Sequence, residues 1–183
     1  MKPYQPPGVW EAVGYTDSNT RAFIPDSGDA LHRRSLYTFW KRTAPPPSMA
    51  IFDAPNRETC TVRRERTNTP LAALVLWNDV QFVEAARGFA ARMLRREADG
   101  DKSRVAWGFR AATGRAPTAE ESTELAAALA EFRAVYQADS EAARALIALG
   151  ETAAPGDLPA SELAAWTMFA SLLLNLDETI TRS

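Results

Sequence analysis

A Thr-Pro pair at positions 69 and 70 divides this sequence into two kinds of chain. Threonine is a favoured N-cap and proline a favoured first helical residue, so the pair reads as a helix start. Eight of the twelve prolines precede it, and proline excludes interior helix and central strand alike. Behind it, apolar residues recur at the three-four spacing of amphipathic helices. The expected fold is therefore mainly α. Residues 69–183 form a compact multi-helix bundle. Residues 1–68 form a proline-rich, irregular or extended segment wrapped on it, with room for one short strand or hairpin. Together they read as one domain, or as the C-terminal part of a larger one, which suits a chain of 183 residues.

In the N-terminal segment, Val9, Trp10, Val13 and Phe23 are the candidate anchors, with a helical turn around Val9–Val13. Residues 33–42 (RRSLYTFWKR) combine aromatics with Thr38 and read as a short strand. A helix is the alternative, because Leu31, Ser35 and Phe39 are four apart. Ala44-Pro45-Pro46-Pro47 predicts extended polyproline geometry.

Among the helices, Leu71, Leu74 and Val75 give one apolar face, and Asp79 is placed to cap the next helix. There Phe82, Val83, Ala86, Ala90 and Met93 face inward, while Arg87, Arg95 and Arg96 read as solvent-facing or as support for the helix C-terminus. Asp101 is expected to cap a helix running to Ala112 and ended by Gly114. Gly108 inside it costs ~1 kcal/mol against alanine and permits close packing. Thr118 with Glu121 forms a capping box. Ser140 is expected to start a helix to Leu149. The last long helix, about Pro159 to Leu176, is apolar nearly all round and is expected to be buried by its neighbours.

Composition excludes several classes of function. One cysteine, Cys60, allows no intrachain disulfide, and one histidine, His32, leaves no zinc site built from His and Cys alone. No CxxCH haem motif is present, so no cofactor is expected in this chain. The first ten residues, MKPYQPPGVW, lack the apolar core of a signal peptide, and no apolar run is long enough for a membrane span. Net charge is −2 and no nucleic-acid-binding module is present, so no nucleic-acid partner is expected. Charge is unevenly spread. Residues 21–66 hold nine Lys/Arg against five Asp/Glu, whereas residues 117–183 hold three against eleven.

No catalytic motif stands on its own. Cys60 reads as a buried small hydrophobe, and His32 as structural or solvated. The strongest polar lead is the stretch RETCTVRRERTNTP. Arg57, Arg63, Arg64 and Arg66, with Asn68 and Thr69 at the helix start, are the candidate ligand-binding residues. Guanidinium forks beside free backbone N–H groups suit sulfate, phosphate or carboxylate. The competing reading pairs these arginines with Asp53, Glu58, Glu65, Asp79 and the acidic C-terminal helices. Asp53 and Asp79 are candidate catalytic carboxylates by location alone. No metal site is expected.

The blocks KPYQPPGVWEAV, RRSLYTFWKRTAPPPSMAIFDAPNRETCTVRRERTNTPLAALVLWNDVQFVEAAR, TGRAPTAEE and LAAWTMFASLLLNLDETITR resemble the C-terminal part of a planctomycete-type, cytochrome c-associated domain of unknown function, the PSD domain. Trp77 departs from that pattern, which favours a smaller apolar residue before Asn-Asp. The resemblance implies an exported or periplasmic protein. It also implies that the chain is a C-terminal fragment or truncated product. Its partners would be upstream domains of a longer protein or a c-type cytochrome. The family supplies no established catalytic residue to carry over. The expected role is assembly or interaction. The alternative is binding, with or without hydrolysis, of an anionic glycan at Arg63–Thr69.

Overall fold

The computed structural model describes residues 1–181. The chain is mainly helical and divides into two compact units, Met1–Ala72 and Ala73–Ser183.

The N-terminal unit is built from turns. Short 3-10 segments occupy Glu11–Val13, Gly28–His32 and Ser35–Tyr37, and one α-helix, α1, occupies Pro47–Ile51. Its packing centre is Trp10, only 3% exposed. The Trp10 indole meets Phe23 edge-on at 4.9 Å and Phe39 at 5.5 Å, and Lys41 lies over the ring at 4.9 Å. Trp10 and Phe23 thus act as the anchors expected of them, while Val13 is exposed.

The strand expected over 33–42 does not form. Among the described residues the sole β feature is an isolated bridge between Lys41 and Ala44. A β-favouring sequence needs a partner to complete its ladder. Here the backbone turns at Ser35–Tyr37, and Phe39 N–H donates to the Met1 carbonyl at 2.8 Å instead. The polyproline run is also shorter than expected. Pro46 is extended, but Pro47 occupies the first position of α1, where its missing N–H costs nothing.

The helix α2 (Pro70–Asn78) starts where the Thr-Pro pair places it, with Ala72 N–H donating to Thr69 Oγ1 at 3.2 Å. The helical unit continues with α3 (Val80–Arg95), α4 (Asp101–Thr113), α5 (Ala119–Ala138), α6 (Ser140–Ile147), α7 (Ala160–Leu174) and α8 (Asp177–Ile180). The centre is α7, which packs on α3, α5 and α6. Its side chains Leu163, Trp166, Phe169 and Leu173 are all fully buried, together with Met93 from α3. This accounts for its apolar circumference: a helix covered on every side has no polar face to keep. Two of its polar side chains donate within the helix. Trp166 Nε1 donates to Glu162 one turn back at 2.7 Å, and Thr167 Oγ1 donates to the Leu163 carbonyl at 2.7 Å.

Helix boundaries follow local capping chemistry with two corrections. Asp79 caps α3 through Gln81 N–H at 2.9 Å, the Thr118–Glu121 box caps α5, and Gly114 ends α4 in the left-handed conformation. Asp101, however, is the first helical residue of α4 and not its cap, because Gly100 at φ +98° makes the turn and leaves the Asp101 carboxylate for Arg133 and Arg104. For α6 the cap is Asp139, whose Oδ1 accepts from the N–H groups of Glu141 and Ala142, so Ser140 lies inside the helix. That helix ends at Ile147, two residues before the expected Leu149, and the Ile147 and Leu149 carbonyls, left without intrahelical partners, accept from Arg87.

Candidate functional site

The arginine-rich stretch is a surface loop hung on one carboxylate. Asp53 Oδ2 accepts from both the backbone N–H and the hydroxyl of Thr67, each at 2.8 Å, and so ties two points fourteen residues apart. Asp53 and Arg57 are the two described non-glycine residues with positive φ, at 57° and 63°. The left-handed conformation is uncommon for such residues, and it folds the loop back sharply at both places. The two Thr67 hydrogen bonds, and then the Arg64 charge, hold the Asp53 carboxyl below its ordinary range. The Asp53 carboxylate thus acts as a buckle on the loop.

Within the predicted cluster, Arg57 has a partner of its own. The Arg57 guanidinium lies over the Trp40 ring at 4.8 Å, a cation–π contact. Glu58 pairs with Arg42 at 3.6 Å at the surface. Arg63, Arg64 and Arg66 are exposed along the loop, and Thr69 is occupied as the α2 cap. Asn68 and Arg66 both make further interactions. Asp79 belongs to the helical unit, where burial raises its carboxyl above the ordinary range, against the pull of the α3 backbone N–H groups that it caps. Cys60 is exposed, contrary to the burial expected of it, because the loop around it has no regular structure to cover a small side chain. His32 is exposed. Among the described residues no group of three His, Cys, Asp or Glu is placed to hold a metal ion.

The tightest polar constellation lies elsewhere and contradicts the reading of Arg87 as solvent-facing. Arg87 is 3% exposed. Its guanidinium donates to the backbone carbonyls of Ile147, Leu149 (2.6 Å) and Thr152, and lies 3.6 Å from Glu84. Glu84, also buried, accepts from Thr152 N–H at 2.6 Å. Together they clasp the α6–α7 connection against α3. Gly150 completes the fit, since its φ is +86° and a Cβ there would stand 2.6 Å from the Glu84 carboxyl carbon. The sequence carried a signal for this pair. Glu84 and Arg87 sit within the stripe formed by Val83, Ala86 and Ala90, where a charged residue needs a buried partner.

Two further arginines of the helical unit each neutralise two acidic residues. Arg133 binds Asp101 and Glu162 and lies over Trp166. These bonds keep its guanidinium firmly charged and depress Asp101. Arg115 binds Glu121 at 2.6 Å and Glu178 at 2.7 Å, and Glu121 falls to about 2, chiefly through Arg115. These two guanidiniums border separate grooves of about 450 and 560 Å³ along α5. In these grooves Arg115 is paired with Glu121 and Glu178, and Arg133 with Asp101, while Glu124 and Lys102 line them without a salt bridge among the described residues.

No curated protein and no solved structure matches this chain. A family model does match, over residues 1–129, from the N-terminal unit into α5. The chain therefore belongs to the PSD1 family, described as protein of unknown function (DUF1553).

Proposed function

We propose that this chain is a non-catalytic interaction domain whose N-terminal unit is covered by a partner. The observation that carries this reading is where large apolar side chains are left exposed. Of the eleven among the described residues, eight lie at or before Leu71, including Tyr15 at 75%, Ile24 at 71% and Leu36 at 69%. Apolar side chains gathered on one surface mark interaction sites, and this unit carries most of those left exposed. The partner is an adjoining domain of a longer polypeptide or a c-type cytochrome, in keeping with the resemblance to cytochrome c-associated domains.

The test measures binding of a purified c-type cytochrome to the full chain and to an Ile24→Asp/Leu36→Asp variant. Exposed positions tolerate the change, so the unfolding midpoint is expected to hold while affinity falls at least tenfold. Absence of binding by the unmodified chain, or equal binding by both, refutes the cytochrome as partner. Turnover of a substrate by the isolated chain refutes the non-catalytic role.

A second reading, an anion site at Arg63–Thr69, is favoured by the exposure of Arg63, Arg64 and Arg66 on a loop that Asp53 holds in place. It predicts that Arg63→Ala/Arg64→Ala weakens binding of a sulfated glycan such as heparin.

A further inference from the structure

The C-terminal turn of α3 presents Arg92, Arg95 and Arg96 beside Trp107 of α4. Residues four apart share a helix face, so Arg92 and Arg96 project to the same side. Their guanidiniums lie 5.7 and 5.3 Å from the centre of the Trp107 ring. Phe89 supports that ring at 6.0 Å. The five residues Arg92, Arg95, Arg96, Glu97 and Trp107 line a shallow depression.

The charges there are not all paired. Arg95 is held by Asp157 in a two-pronged contact of 2.6 and 3.0 Å. Neither Arg92 nor Arg96 forms an ion pair among the described residues, and the Trp107 indole N–H has no acceptor among them. Glu97 on the rim sets one carboxylate against these two unpaired guanidiniums. The arginines of the unit's other clusters, Arg87, Arg115 and Arg133, end on carboxylates. Complementing the negative helix end needs only charge near the last turn. It does not require two guanidiniums gathered over one indole.

We infer that this depression is a binding site for an oxyanion group, a sulfate or phosphate ester carried on a larger ligand. Stacking on Trp107 restrains both guanidiniums, so less rotamer freedom is lost when they close on the anion. The site lies within the helical unit and does not depend on the interaction role proposed above.

The experiment titrates the full chain with inositol hexasulfate and, separately, inositol hexaphosphate by calorimetry. Three variants are compared: Arg92→Ala/Arg96→Ala, Arg92→Lys/Arg96→Lys, and Arg63→Ala/Arg64→Ala. The expected result is saturable binding of at least one probe, weakened tenfold or more by the alanine pair at 92 and 96. The lysine pair falls in between, because it keeps charge but loses the planar fork, and the change at 63 and 64 has little effect. The preferred probe identifies the source of the oxyanion. All four positions are exposed, and circular dichroism checks that each variant folds. No binding of either probe, equal binding by the 92/96 alanine pair, or loss of binding through 63 and 64 instead, overturns the assignment.

Discussion

Replacing Arg87 by methionine tests the clasp most directly, because methionine fills the space of the side-chain stem while removing the charge. In the intact protein the guanidinium satisfies three backbone carbonyls and faces Glu84, with both side chains nearly inaccessible, at 4% and 6%. Arg87→Met leaves the Glu84 carboxylate buried without its counter-charge. Breaking a buried pair from one side costs about 3–5 kcal/mol. Against a typical total stability of roughly 5–15 kcal/mol, that is a loss of about 150- to 5,000-fold in the folding equilibrium. The freed carbonyls add less than their number implies, because Leu149 and Thr152 lie in an exposed connection that water can reach.

The sign of the second substitution makes the reasoning refutable. Glu84→Gln keeps an acceptor for Thr152 N–H but removes the buried charge. The double variant Glu84→Gln/Arg87→Met is therefore expected to be more stable than Arg87→Met alone, with a residual cost of about 1–3 kcal/mol for imperfectly satisfied polar groups. Urea unfolding followed by far-ultraviolet circular dichroism reports on this transition, since seven of the eight α-helices lie beyond residue 69. A loss below about 1 kcal/mol for Arg87→Met would refute the claim that the pair is energetically coupled. So would a double variant no more stable than the single one.

Two glycines on neighbouring helices should respond in opposite directions. Gly88 has open space where a Cβ would go, so Gly88→Ala is expected to stabilise by up to ~1 kcal/mol through helix propensity. At Gly108 a Cβ would fall on the Met93 sulfur and stand 3.3 Å from Leu173, so Gly108→Ala is expected to destabilise by about 1–3 kcal/mol; thermal melts that shift both variants the same way contradict the packing assigned to α4. The Arg115–Glu121 contact sets an acid dependence. Glu121 titrates at 4.5 when unperturbed and at about 2 in the fold, so its contribution is complete above 4.5 and disappears as pH falls toward 2. The melting-temperature gap between the unmodified chain and Glu121→Gln should therefore narrow across that window, and a gap independent of pH contradicts the assignment.

Much of the helical unit was legible because its signals are local. Thr69-Pro70, Asp79, the Thr118–Glu121 box and Gly114 each act within about one helical turn, through bonds that a side chain makes to backbone close in sequence. The burial of α7 was equally legible, since no surface helix is apolar on every side. At Asp101 and Ser140 a neighbouring residue, Gly100 or Asp139, suited the cap position better.

The polar sites were less legible, for a physical reason. The four arginines of the 57–66 stretch are close in sequence, yet the loop sends Arg57 to Trp40 and keeps Arg63, Arg64 and Arg66 at the surface. The place of Arg87 in the apolar stripe hints at burial, yet its hydrogen-bond partners lie sixty or more residues away. The sequence by itself determined where the long helices lie, to within a residue or two, and which helix is central, because capping and amphipathic spacing operate at short range. Only the tertiary structure decided which charges are buried, paired or left open. Those outcomes depend on which distant carbonyls and carboxylates the packing of α3 against α7 and the α6–α7 connection brings within reach.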